Sequence, residues 1–230
     1  MSLNAPDAQY LLGLMSGTSA DGIDCALLVQ SESGQLRLLH SYSHPLPPGL
    51  RAAIVTLSHS GADEIEQLGP LDRQLGAQFA AGALALLEEA GISSDRVTAI
   101  GSHGQTVRHR PPSRGHARDQ SFTLQIGDPN TIAELTGITT VADFRRRDVA
   151  AGGEGAPLAP AFHAATFGAA GTARAIVNLG GIANVSCLRG GELLRGFDTG
   201  PANTLLDYWC HKQCGDPFDR DGCWAASGRV

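Results

Sequence analysis

Residues 12–24 read LGLMSGTSADGID. An apolar run enters this segment, a glycine- and hydroxyl-rich turn fills its middle, and a second apolar run (23–29) leaves it. That order is strand, turn, strand. Gly17 and Gly22 permit close backbone approach and positive φ angles. Ser16, Thr18 and Ser19 add hydroxyls, and successive backbone N–H groups of such a turn form an anion-binding concavity. Asp21 and Asp24 suit Mg2+, which keeps several waters and takes few carboxylates. The segment is not a Walker A loop, because no Gly-Lys-Ser/Thr follows it. Nor is it a dinucleotide fingerprint, because a strand and not a helix comes next. On composition alone, a phosphate-binding loop and a plain polar hairpin turn are equal readings.

Outward from this segment, residues 10–14, 23–29 and 36–43 form three strands joined by tight turns, with Ser33-Gly34 marking one of them. Leu68, Leu71, Leu75 and Phe79 then fall at helical spacing, continued by Leu86 and Leu87. Pro70 is placed for the start of that helix and Gly91 for its stop. Residues 97–100 make a buried strand that ends in a loop at 101–106. The basic, Pro-containing stretch 108–120 is a surface loop. Residues 122–126 and 139–142 are strands, and Asp128-Pro129 makes an N-cap with proline at the first helical position. Residues 160–167 form a helix closed by Gly168.

The pattern restarts near residue 175. A strand, the Gly180-Gly181 turn, a strand at 184–188, the Gly190-Gly191 turn, a strand at 193–197 and a helix at 202–212 follow in order. This predicts a duplicated α/β architecture with its boundary near 168–174. The second glycine turn, NLGGIAN at 178–184, occupies the place of the first loop. Two hairpins gripping one polyphosphate is one reading of this; an ordinary turn is the other.

The bulk numbers bound the function. In 230 residues, 42% are apolar and 17% charged, an ordinary globular composition. Seventeen basic and 23 acidic residues give a net charge of -6, which argues against a nucleic-acid partner. No apolar run approaches the roughly 20 residues that span a bilayer. The first nine residues have no basic residue and no signal-peptide core, so a cytoplasmic location is expected. Five cysteines are expected as reduced thiols. Cys210, His211, Cys214 and Cys223 lie near one another, but without a paired CxxC motif zinc is disfavoured.

Six stretches taken together resemble a known family. They are residues 12–24, GSHGQT at 101–106, QIGDP at 125–129, VADFRRRDVAAGGEGAP at 141–157, residues 178–186 and GFDTGP at 196–201. In this order they resemble the anhydro-N-acetylmuramic acid kinases, over residues 10–228. The resemblance implies a duplicated actin/hexokinase-like (ribonuclease H-like) α/β fold. It implies a first ATPase-like domain over 1–170 and a truncated second domain over 171–230, since the family's members are substantially longer. It implies that Gly17, Thr18, Ser19, Ala20, Asp21, Gly22, Ile23 and Asp24 form the ATP-phosphate segment, with Mg2+ as the accompanying ion. The duplication adds Gly180 and Gly181 as the matching turn. Asp198 of GFDTGP matches the catalytic base. The implied reaction uses ATP and water to open the 1,6-anhydro ring of anhydro-N-acetylmuramic acid. The product is N-acetylmuramic acid 6-phosphate, in cell-wall sugar recycling. ATP and this small sugar are the expected partners, with a homodimer as one assembly open to the protein. The competing reading is a nucleotide-phosphate-binding fragment without catalytic activity.

The sugar carries a lactyl carboxylate, which an arginine fork matches well. Arg145, Arg146 and Arg147 follow an expected strand end, where ligand-binding groups gather in α/β folds. A solvated basic turn is the plain alternative; given the resemblance, Arg147 is the expected substrate contact. Gln105 and Thr106 are candidates for the sugar's polar groups, and a bland polar loop is an equal reading. His103 is expected to be structural. Phe197 is placed to shield Asp198 from solvent.

Overall fold

A computed structural model describes residues 9–32 and 34–229. The Ser33 half of the expected Ser33-Gly34 turn lies outside the described residues. The chain divides into two compact units, one ending at Gly153 and one beginning at Glu154.

In the first unit, β1 (Gln9–Ser16), β2 (Gly22–Gln30) and β3 (Leu36–Pro45) form an antiparallel meander. The helices α1 (Pro48–Leu57) and α2 (Glu64–Ala90) follow, and then β4 (Val97–Arg110). The unit closes with β5 (Phe122–Ile126), α3 (Pro129–Thr136), β6 (Thr140–Val141) and α4 (Phe144–Ala150). The sheet order is β3-β2-β1-β4-β5, with β6 pairing β4. β1 and β4 run parallel, so the long crossover through α1 and α2 joins them.

Strand alternation decides which face is core. Tyr10, Leu12, Leu14 and Ser16 of β1 are buried, as are Ile23, Cys25 and Leu27 of β2. Leu75, Phe79, Ala83 and Leu86 of α2 complete the core with Ile100 of β4 and Ile132 of α3. Each such large apolar side chain contributes about 1.5–3 kcal/mol by leaving water. The intervening residues Gly13, Met15, Asp24 and Ala26 belong to the opposite face.

Several elements depart from the sequence expectation. α1 was not expected, although Leu50, Ile54 and Leu57 repeat at helical spacing and all three are buried. α2 begins at Glu64, so Pro70 lies inside it and not at its start. The extra turn is held from outside: Arg108 donates to Glu64 Oε2 at 2.9 Å and to the Leu57 carbonyl at 3.0 Å. The largest change is β4, which runs straight through the expected loop at 101–106 and into 108–110. Gly101 and Ser102 pair with Gly13 and Leu14, and Thr106 pairs with Gln125. Gly104 is not a turn glycine but a distortion within the strand. Its φ is +70°, and a Cβ there would lie 2.6 Å from the Ile126 carbonyl oxygen.

The second unit holds α5 (Ala159–Phe167), then the antiparallel sheet β7 (Ala173–Leu179), β8 (Ile182–Arg189) and β9 (Glu192–Pro201). α6 (Asn203–Cys214) follows. The expected boundary at 168–174 differs from the observed division at Gly153, because α5 belongs with the second sheet. Pro160 packs directly on Gly196, where no side chain larger than hydrogen fits. His163 Nδ1 lies 2.8 Å from Ser186 Oγ. Val177, Leu179, Leu194, Leu205 and Leu206 are each more than half exposed. Among the described residues, no helix is long and apolar enough to cross a membrane.

Candidate active site

The loop between β1 and β2 is a tight turn closed by Ala20 N–H donating to the Gly17 carbonyl at 3.1 Å. Ala20 sits at φ 49°, the left-handed region, with its methyl buried. Ile23 is also fully buried. Neither side chain is open to a ligand. Thr18, Ser19 and Asp21 are exposed, and Ser19 Oγ donates to Asp21 Oδ1 at 2.7 Å. Asp24, on the open face of the sheet, instead accepts from Ser43 Oγ at 3.2 Å. Both carboxylates are exposed oxygen ligands of the kind Mg2+ takes. Among the described residues, no cluster of three His, Cys, Asp or Glu is placed around a metal position.

The base of the loop is anchored from β4. Ser16 Oγ lies 2.6 Å from Gln105 Oε1 and 2.9 Å from the Gly22 carbonyl oxygen. Gln105 is fully buried. Thr106 Oγ1 accepts from Gln125 Nε2 at 3.0 Å. Both were expected on a loop facing a sugar; the continuous strand turns Gln105 inward as a tie between β4 and the end of β1, and engages Thr106 with β5. Asp128 caps α3 as expected, accepting from the N–H groups of Asn130 and Thr131. Burial pushes its carboxyl up, but these bonds and those from the Thr131 and Asn130 side chains outweigh it and lower the pKa.

The three arginines separate clearly. They lie on α4, a helix that follows the strand end expected before them. Arg146 pairs with Asp143 at 3.2 Å. Arg147 is exposed. Arg145 is half-buried, and its Nε donates to His103 Nε2 at 2.7 Å. The other ring nitrogen, Nδ1, lies 2.9 Å from the Gly104 carbonyl oxygen. A carbonyl only accepts and a guanidinium only donates, so the ring carries its proton on Nδ1 and is neutral. Burial, and then the Arg145 charge, lower the His103 pKa, against the opposing pull of the Gly104 carbonyl.

His103 lines a hollow of about 510 Å3 on the open face, with Gly13, Ala26, Gly101, Asp24 and Phe144. Cys25 borders it too, its thiol pushed up to about 12 by burial and by Asp24, so it stays protonated at neutral pH.

In the second unit Asp198 is exposed on β9, opposite Asn184 of β8. The pairing skips Thr199: Ala183 faces Gly200 and Asn184 faces Asp198. This β-bulge directly after Asp198 is the kind of local kink that re-aims a side chain. Nothing in the hydrophobic pattern announces it. Phe197 does not shield Asp198. It is itself exposed and, with strand alternation, shares its side with the Arg195 guanidinium, 5.7 Å from its ring centre. The Gly180-Gly181 turn does a definite structural job. Its carbonyls accept from the N–H groups of Ala202 and Asn203, both at 2.9 Å, at the start of α6. The five cysteines are all free thiols.

The family model for anhydro-N-acetylmuramic acid kinase matches residues 9–230. A protein named anhydro-N-acetylmuramic acid kinase from Shewanella woodyi is 53% identical over 222 residues, covering 96% of this chain and 58% of its own length. One of the same name from Xanthomonas campestris pv. campestris is 54% identical over 223 residues, covering 95% and 58%. Among solved structures, a ROK family glucokinase from Streptomyces griseus in complex with glucose and AMPPNP is similar over 84% of this chain and 49% of its own. Its sequence identity is 18% and its TM-score 0.36. The chain thus spans somewhat over half the length of the curated relatives it matches. With the family model running from β1 through the bulge at Asp198 to the last residue, the chain belongs to the anhydro-N-acetylmuramic acid kinase family.

Proposed function

We propose that the protein is an ATP-dependent kinase that opens the 1,6-anhydro ring of anhydro-N-acetylmuramic acid and phosphorylates O6. The observation that carries this reading is the family match, which spans both the 17–24 loop and the strand bearing Asp198. Asp198 takes a proton from water as the water oxygen attacks C1. The C1–O6 bond breaks, and O6 takes the γ-phosphoryl group of ATP as the bond to ADP breaks. The phosphoryl group thus does what a second carboxylic acid does in an inverting glycosidase, so one carboxylate suffices. Backbone N–H groups of the 17–24 loop bind phosphate oxygens, and the side chains of Thr18 and Ser19 border them. Mg2+, when bound, neutralises charge on those oxygens; Asp21 and Asp24 would hold it through waters. A reaction drawing on ATP belongs in the cytoplasm, which is where we place the protein.

The test is an ATP-dependent assay in heavy-oxygen water. The expected product is N-acetylmuramic acid 6-phosphate with the heavy oxygen at C1. Phosphorylated product without label would reassign the protein to kinases acting on an ordinary hydroxyl. A second reading rests on the partial coverage of the relatives: residues 1–230 alone bind nucleotide phosphates without turnover. Assaying this stretch beside a longer chain of the same family separates the two.

A further inference from the structure

We propose that Cys210 and Cys214 form a dithiol site for a monosubstituted trivalent arsenical, bridged through a single arsenic atom. The two residues lie one turn apart on the same face of α6. Cys210 is buried, and Cys214, the last residue of the helix, is exposed. Burial and then Cys214 raise the Cys210 pKa, so the two thiols are close enough to act on each other, and Cys210 stays protonated at neutral pH. A short helix, α7 (Cys223–Ala226), shares a hollow with the end of α6. Asp219 fixes its start: the carboxylate accepts from Trp224 N–H and Ala225 N–H, both at 2.9 Å. Cys210, Cys214 and Cys223 thus border one hollow of about 500 Å3, with Phe218 and Trp224 as apolar walls. The other two cysteines, Cys25 and Cys187, lie elsewhere, on β2 and β8.

Spacing selects the kind of bridge. A disulfide needs Cβ atoms about 3.5–4.5 Å apart, whereas helical residues four apart hold theirs at about 5–6 Å. A direct S–S bond between Cys210 and Cys214 would therefore unwind the last turn of α6, which Gly215 closes by donating its N–H to the His211 carbonyl at 2.9 Å. Two S–As bonds meeting at one atom span the wider gap with the helix intact. Zinc asks for four ligands, and among the described residues no group of three His, Cys, Asp or Glu is placed to hold a metal ion. Trivalent arsenic asks for less: two thiol sulfurs and its own carbon substituent complete its three bonds. The step balances without an oxidant. Each thiol gives its proton to one As–OH group, an As–O bond breaks as an As–S bond forms, and two waters leave in all; arsenic stays trivalent throughout. An aryl substituent on the arsenic has the exposed rings of Phe218 and Trp224 to pack on.

The experiment adds phenylarsine oxide, which is a diol in water, to the reduced 230-residue chain. Intact-mass spectrometry counts the adducts, and titration against 2,3-dimercaptopropanol gives the affinity. One phenylarsine per chain is expected, kept in the presence of a monothiol and released by the dithiol. Cys214→Ser and Cys210→Ala should each weaken binding by about 10^2- to 10^4-fold, the gain that a second tethered contact gives. Cys210 is buried, so its variant is read beside the exposed Cys214→Ser, whose melting temperature should match the wild type. Cys187→Ser and Cys223→Ser should leave the affinity unchanged, and the helical circular-dichroism signal should survive binding. An adduct that persists in Cys214→Ser, or one that needs Cys223 and not Cys210, overturns the site. Loss of helical signal on binding overturns the one-atom bridge across an intact turn. Trp224→Ala is expected to weaken phenylarsine several-fold and leave methylarsonous acid unmoved; equal affinities of the two probes in the wild type overturn the aryl contact.

Discussion

Gln105 shows how one residue changes meaning when its backbone is placed. In a loop, a glutamine beside Thr106 reads as a contact for sugar hydroxyls. In a strand, it is buried against Ser16, at the base of the loop proposed to bind ATP phosphates. Gln105→Ala is therefore expected to weaken ATP binding and leave sugar affinity near normal; a sugar-specific loss in calorimetry would reverse that assignment. It should also cost about 0.5–1.5 kcal/mol of stability for the lost hydrogen bond, since Ser16 keeps the Gly22 carbonyl as an acceptor. His103 makes a pH prediction. Its pKa is lowered in the folded protein by burial and by Arg145, so below the unfolded value of 6.5 the unfolded chain binds the extra proton. Stability is therefore highest above pH 6.5 from this group and falls as pH drops toward the lowered folded value. Asp24 from β2 and Tyr42 from β3 border the same hollow, and Arg145 approaches from α4. Melting temperatures of the wild type and His103→Gln between pH 8 and 5 should converge in their high-pH limbs and separate in slope below 6.5, with the variant flatter.

At the scale of elements, the meanders were legible because apolar runs were separated by glycine turns, and the repeat of that order near residue 175 announced the second sheet. Asp128-Pro129 was legible too, since the capping chemistry is local: the carboxylate accepts from the N–H groups two and three residues on. What local pattern missed was decided by distant partners. Gly101 and Gly104 looked like loop residues, but β1, β5 and β6 pair with the backbone around them and keep it extended. Likewise Pro70 read as a helix start, and the helix extends before it because Arg108, far along the chain, holds Glu64. The α4 helix was hidden behind three arginines with no apolar stripe. Asp72 illustrates such a distant tie between elements. From α2 its carboxylate accepts from Gly127 N–H at 2.7 Å, and its carbonyl accepts from Asp128 N–H at 3.1 Å. Burial raises the Asp72 pKa, against the opposing effect of those bonds. Asp72→Ala is expected to cost about 1–3 kcal/mol in urea unfolding by leaving the Gly127 N–H without its acceptor; Asp72→Asn, which keeps an acceptor oxygen, should cost less.

For the whole molecule, the proposed chemistry gives phosphate binding to the 17–24 loop and proton removal to Asp198. Changes in the two should then be separable by kinetics. Asp198→Asn in the full-length protein is expected to lower kcat by about 10^2- to 10^4-fold, the range of a general base, with ATP affinity kept. Near-normal turnover would remove Asp198 from the reaction. The 14-residue strand β4 has its own consequence for how the molecule opens. It is flanked on one side by β1 and on the other by β6 at Ile100 and Gly101 and by β5 from Gln105 on, so at Ile100 it is paired on both sides. Ile100, fully buried, donates its N–H to Thr139 at 2.8 Å inside that arrangement. Opening this point requires separating the crossover pair itself, whereas the ends of β3 and β5 open by fraying. In deuterium exchange, the amides around Ile100 should therefore be among the last in the first unit to take up label. The rate at which they do so measures the global unfolding of that unit and not a local excursion.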